Sequence, residues 1–145
     1  MNRFRIWLFI AGILVTGCSS RPRFTDNPVY WHYSQPGPSA GFHVGQSWNG
    51  TASFYGAEFD GKKTASGEPF DMKKMTAAHM SLPFGTILDV ENISSGKHCQ
   101  VRINDRGPLH PGRMLDLSYG AARNLGLVPE GTAEVKVTIL ILGEE

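Results

Sequence analysis

Cysteine is nearly absent from this chain, which has only Cys18 and Cys99, so a small core stapled by several disulfides is excluded. No apolar run is long enough to cross a bilayer as a helix, since the longest, from Ile6 to Val15, has about ten residues. A basic surplus is also missing: the net charge is +1, and a nucleic-acid partner is not expected. There is no internal repeat, P-loop, dinucleotide fingerprint or coiled coil. His79, His110, Asp105 and Glu68 are metal-ligating types, but their spacing matches no HExxH or Cys/His zinc pattern, so no metal is expected.

What is present begins with a leader. Arg3 and Arg5 precede the apolar run, which reads as a signal peptide over residues 1–17 that is removed rather than folded. Without it, 12 basic residues face 13 acidic ones. Val15-Thr16-Gly17 leads directly into Cys18, a pattern that resembles the lipobox of bacterial lipoproteins. The resemblance implies a lipid on Cys18 that anchors the chain without spanning the membrane, and Ser19 at the next position implies the outer membrane, facing the periplasm. Residues 18–47 contain four prolines and several glycines with no periodicity, and are read as a flexible linker. Tyr30, Trp31 and Tyr33 are unusual in such a segment.

From Trp48 onward, short strands alternate with turn signals. Candidate strands are Gly50 to Tyr55, Thr86 to Glu91, Lys97 to Ile103, Arg113 to Leu117 and Glu134 to Leu142. Two of them, around Leu88-Asp89-Val90 and Val135-Lys136-Val137, alternate with the period of two that a half-buried strand requires. One helix is expected, capped by Ser118 and stopped at Gly126. Five or six strands and one short helix between 48 and 142 predict an all-β, closed barrel.

Four segments combine polar residues with sharp turns: 50–56, 64–71, 76–79, and 104–108 with 112–118. The strands between them allow one barrel mouth to gather all four. Cleaving a glycosidic bond takes a carboxylic acid to protonate the leaving oxygen, and Glu68, Asp105 and Asp116 supply carboxyls. His79 is of a type that holds a proton near neutral pH. Phe54, Tyr55, Phe70 and Phe84 are candidate faces for sugar rings. Each polar residue also has a structural reading. Asp105, ahead of Arg106-Gly107-Pro108, can shape a turn by accepting backbone N–H groups or pair with Arg106. Asp116 can be the buried partner of Arg102 or Arg113.

The strings TASFYG, TASGEPFD, TAAH, LPFGT, RINDRGP and GRMLDLS, in this order, resemble the rare lipoprotein A family over nearly the whole of residues 48–142. The resemblance implies a six-stranded double-psi β-barrel. It also implies endolytic lytic transglycosylase activity on peptidoglycan: cleavage between N-acetylmuramic acid and N-acetylglucosamine without water, leaving a 1,6-anhydro end, with strands lacking stem peptides as a candidate preference. No cofactor is implied. Position by position, Glu68, His79 and Asp105 match the family's active cleft, while related glycan-acting barrels place an Asp where Asp116 stands, so Asp105 and Asp116 remain rivals for the proton donor. Tyr55, Phe70, Arg106 and Arg113 are the candidate substrate-binding residues. Leu109 and Pro111 stand where the family commonly has an aromatic, and no C-terminal glycan-binding domain is expected before Glu145. Two rival readings are a module that grips glycan without cutting, as expansins do, and a lipoprotein that links membrane to wall or to envelope proteins.

Overall fold

The computed structural model describes residues 41–108 and 110–144. The leader, the lipidation site Cys18, linker residues 18–40 with their aromatics, and Leu109 lie outside the described residues. Six strands form one closed barrel: β1 (Ser47–Phe54), β2 (Thr76–Ala78), β3 (Ile87–Asn92), β4 (His98–Asp105), β5 (Arg113–Leu117) and β6 (Ala133–Ile141). Around the barrel they run β1-β5-β2-β4-β3-β6, with β1/β5 and β2/β4 parallel and the other pairs antiparallel. The expected barrel of six strands with one short helix is thus what forms.

The period-two segments put alternate residues inside. Leu88 and Val90 of β3, Val101 and Ile103 of β4, Leu115 and Leu117 of β5, and Val135, Val137 and Ile139 of β6 are all buried in one core. Truncating one such residue, for example Leu117→Ala, costs about 2–5 kcal/mol because the rigid barrel closes the cavity poorly. The helix α1 (Tyr119–Asn124) starts as read: Ser118 Oγ accepts from the Ala121 N–H, and it also donates to the Lys74 carbonyl.

Two elements depart from the expectation. β2 falls in a stretch read only as a polar segment; its three residues are all buried, so it shows no alternation. Barrel pairing also begins ahead of Trp48, with the Gly45 N–H donating to the Ile139 carbonyl at 2.8 Å and Phe42 stacked on Trp48. Cys99 is half-buried, and burial pushes its thiol up to about 11, so it is no nucleophile at neutral pH.

Candidate functional site

The polar centre is built from a single row across four strands. Ser53 on β1 is the register partner of Asp116 on β5, Asp116 that of Ala78 on β2, and Ala78 that of Asp105 on β4. At about 4.8 Å per strand, the two aspartate backbones stand about 10 Å apart, with Ala78 between them in the row. The register shifts beside this row, between Ala77 and Ala78 and between Thr51 and Ala52. Such bulges re-aim side chains that regular pleating would send elsewhere.

Asp105 is buried. Its Oδ1 accepts the Ala65 and Arg106 backbone N–H groups at 2.8 Å each, and its Oδ2 lies 3.3 Å from the Tyr55 hydroxyl, which donates to it. The turn-shaping and site readings of Asp105 therefore belong to different oxygens. Burial, reinforced by Asp105 and then Asp116, drives the Tyr55 phenol far above its ordinary range, so it acts as a donor and never as a base. Tyr55 is held by its N–H bond to the Leu117 carbonyl and by edge contacts with Phe59 and Phe70 at 5.5 and 5.3 Å between centroids. These three aromatics, with Lys62, Lys63, Thr64 and Asp105, line an open, shallow hollow.

Asp116 is buried on the other side of Ala78. Ser53 donates a short hydrogen bond to its Oδ1, Arg113 Nη1 donates to Ser53 Oγ at 2.7 Å, and Arg113 Nε stands 3.9 Å from Asp116 Oδ1. Arg113 is therefore the partner of Asp116, and its Nη1 and Nε face Ser53 and Asp116 rather than a sugar. Arg102, the other expected partner, instead grips Glu68 bidentately at 2.8 Å on each oxygen. The reason is register: Arg102 pairs with Thr76 and Ile87, below the aspartate row, and reaches out to the 64–71 loop.

That clamp lowers the Glu68 carboxyl below its usual range, chiefly through the Arg102 hydrogen bonds and further through Asn104. Glu68 is thus a fixed anion and a loop anchor. With Ala65 N–H on Asp105 and Ser66 N–H on the Asn104 carbonyl, it fastens the 64–71 loop to the end of β4.

His79 differs from the expectation of a group that holds a proton near neutrality. Burial, and then the nearby Arg106, push it down to about 4. Its Nδ1 accepts N–H bonds from Ser81 and Leu82 at 3.2 and 3.0 Å, which assigns the ring proton to Nε2. Phe42 and Trp48 pack edge-on against the ring at 6.3 and 6.2 Å. Arg106 forms no ion pair with Asp105; its guanidinium covers the Phe84 ring at 3.7 Å and donates to the His79 carbonyl at 3.4 Å. Phe84 therefore offers that face to an arginine rather than to a sugar. Phe70 is buried and supports Tyr55 from below. Ser53, Ala78, Lys62 and Lys63 were not singled out from the sequence; the first two acquire meaning only through strand register.

The model of the family described as lytic transglycolase matches residues 47–137. The endolytic peptidoglycan transglycosylase RlpA of Vibrio cholerae is 37% identical, over 97% of this chain and 64% of that protein. The protein of the same name from Neisseria meningitidis serogroup A is 47% identical, over 66% of this chain and 40% of its own length. The chain thus spans under two thirds of these relatives. Among solved structures, the Streptomyces papain inhibitor superposes with a TM-score of 0.55 at 20% identity, over 68% of this chain and 97% of that one. A Clavibacter michiganensis expansin in complex with cellohexaose gives 0.54 at 21%, over 66% and 51%. The two structural likenesses are of fold.

Proposed function

The chain belongs to the lytic transglycolase family, and on that premise we propose that its barrel cuts peptidoglycan glycan strands internally as a lytic transglycosylase, with Asp105 moving the proton. The observation that carries this reading is the division of labour on Asp105. Oδ1 is saturated by backbone N–H groups, while Oδ2 meets the Tyr55 hydroxyl at the hollow. Asp116 does not line that hollow and is held by Ser53 and Arg113.

In the proposed reaction Asp105, protonated on Oδ2, gives its proton to the glycosidic oxygen as the bond from that oxygen to C1 of the muramic residue breaks. The muramic 6-hydroxyl attacks C1, and its proton passes to the Asp105 carboxylate, which regenerates the acid. No water is consumed. Proton transfer of this kind contributes typically about 10²- to 10⁴-fold. Tyr55 fixes Oδ2, and the His79 Nε2–H is a neutral donor that does not titrate over the working range. Asp116 lies beyond Ala78, and a carboxylate at that position favours the positive sugar ring of the transition state.

The test is digestion of purified sacculi in ¹⁸O-water. The reading expects 1,6-anhydro ends without ¹⁸O; labelled reducing ends identify a hydrolase instead, and binding with no released product replaces cleavage by the expansin-like grip. Residues 15–19 support a lipid on Cys18 and outer-membrane anchoring as part of the same proposal. Cys18→Ser is expected to move the protein from the membrane fraction to the soluble one.

A further inference from the structure

Two cations remain without a task once the site has been described. Lys62 and Lys63 line the same hollow as Asp105 and Tyr55. They stand on an ordered hairpin: the Gly61 N–H donates to the Phe70 carbonyl, the Phe70 N–H to the Lys62 carbonyl, and Lys63 bridges to Pro69. The Lys62 ammonium lies 4.9 Å from the centroid of Phe59, at the aromatic wall.

The carboxylates of residues 60–71 have partners other than these lysines. Asp60 accepts from the Met72 N–H, Glu68 is held by Arg102, and Asp71 accepts from the Lys73 N–H and faces Lys74. Among the described residues, neither Lys62 nor Lys63 is ion-paired. Two positive charges without an ion pair beside an aromatic wall concentrate an anion there, whereas a neutral polysaccharide offers them hydrogen-bonding oxygens but no charge.

We propose that Lys62 and Lys63 are specificity-determining residues that select glycan strands bearing carboxylates over neutral ones, an inference that rests on the glycan-cleaving reading above. In peptidoglycan the carboxylate has two sources, the lactyl group of a muramic residue freed of its stem peptide and the carboxyls of the stem peptide itself.

The experiment measures binding of the full chain carrying Asp105→Asn, so that strands stay intact. Stripped strands and peptide-bearing strands are each compared with the same strands after their carboxyls have been converted to neutral methylamides. Amidation is expected to weaken binding about two- to fivefold per lysine engaged, the range of a partly exposed ion pair, with the gap narrowing as salt rises. Lys62→Gln with Lys63→Gln abolishes the gap, and Lys62→Arg with Lys63→Arg restores it. A gap in the stripped set assigns the lactyl carboxylate; a gap confined to the peptide-bearing set assigns the stem. Equal affinity with and without amidation in both sets, or a gap that survives the double Gln variant, overturns the proposal. Cleavage by the unaltered chain is scored separately: product without a charge gap defeats this inference alone, and a charge gap without product defeats the cleavage reading alone.

Discussion

The Tyr55 hydroxyl stands 3.3 Å from Oδ2 of Asp105, the one carboxylate oxygen in that group left free by the backbone. Tyr55→Phe removes this bond and keeps the ring packed on Phe59 and Phe70. Because a hydrogen bond to a charged group is worth about 1.5–3 kcal/mol, turnover should fall roughly 10- to 100-fold. The melting temperature should fall as well, because the Oδ2 of the buried Asp105 loses the same partner. Steady-state release of anhydro products, measured beside thermal unfolding, checks both.

Gly107 lies in the gap between the two aspartates. A Cβ there would stand 3.5 Å from Ala78 Cβ, 3.6 Å from the Tyr55 hydroxyl and 3.8 Å from Asp116 Oδ2, on a backbone with φ of +155°. Gly107→Ala therefore meets backbone strain of about 1–3 kcal/mol, and its methyl sits in contact with Ala78, the Tyr55 hydroxyl and Asp116 at ordinary van der Waals distances. Both stability in urea and activity are expected to drop. An unchanged unfolding midpoint contradicts the geometry.

His79 sets a pH dependence whose sign follows from its neutral burial. The folded chain holds the imidazole at about 4 against an ordinary 6.5, so the unfolded chain takes up the proton first. Stability is complete above about 6.5 and declines as pH falls toward 4, by up to about 3 kcal/mol. His79→Asn, whose side-chain oxygen can take over the Ser81 and Leu82 N–H bonds, should flatten the melting temperature across that window. Ring-nitrogen shifts measured by NMR in the unaltered chain should report the Nε2–H tautomer down to about pH 5.

The Glu68–Arg102 clamp acts on the acid side of that window. The Glu68 carboxyl is lowered from 4.5, so the contribution of the clamp is present above 4.5 and lost as pH falls below it. Both side chains are partly exposed, which limits the effect to about 1 kcal/mol or less. Its larger consequence is positional, since the same loop presents the Ala65 N–H to Asp105. Glu68→Gln is expected to lower kcat more than it lowers stability, and Arg102→Lys, which cannot bond both oxygens, should do the same.

Strands and helix were legible wherever one residue in two had to be buried or a cap had to be filled. Val135-Lys136-Val137 and the Ser118 to Gly126 helix are cases of each. β2 was not, because Thr76, Ala77 and Ala78 are all buried and leave no alternation to read. The candidate carboxyls were legible as residue types in polar turns, and their rivalry was real at that level. It takes the pairing of β2 with β4 on one side, parallel, and with β5 on the other, antiparallel, to give Asp105 and Asp116 a shared neighbour in Ala78. The state of His79 was illegible for a similar reason: two backbone N–H groups, from Ser81 and Leu82, occupy Nδ1. Lys62 and Lys63 carried no signal in the sequence; it is the hairpin of residues 61–70 that places them at the hollow of Asp105.

The most direct measurement compares Asp105→Asn with Asp116→Asn on stripped glycan strands, reading 1,6-anhydro ends by mass spectrometry, with thermal unfolding to show that both barrels fold. Asp105→Asn is predicted to abolish product, whereas Asp116→Asn, which keeps the Ser53 bond and loses only the charge, leaves a reduced but measurable rate. Loss of all product in Asp116→Asn with activity retained in Asp105→Asn would contradict the account and move the proton donor to the other side of Ala78.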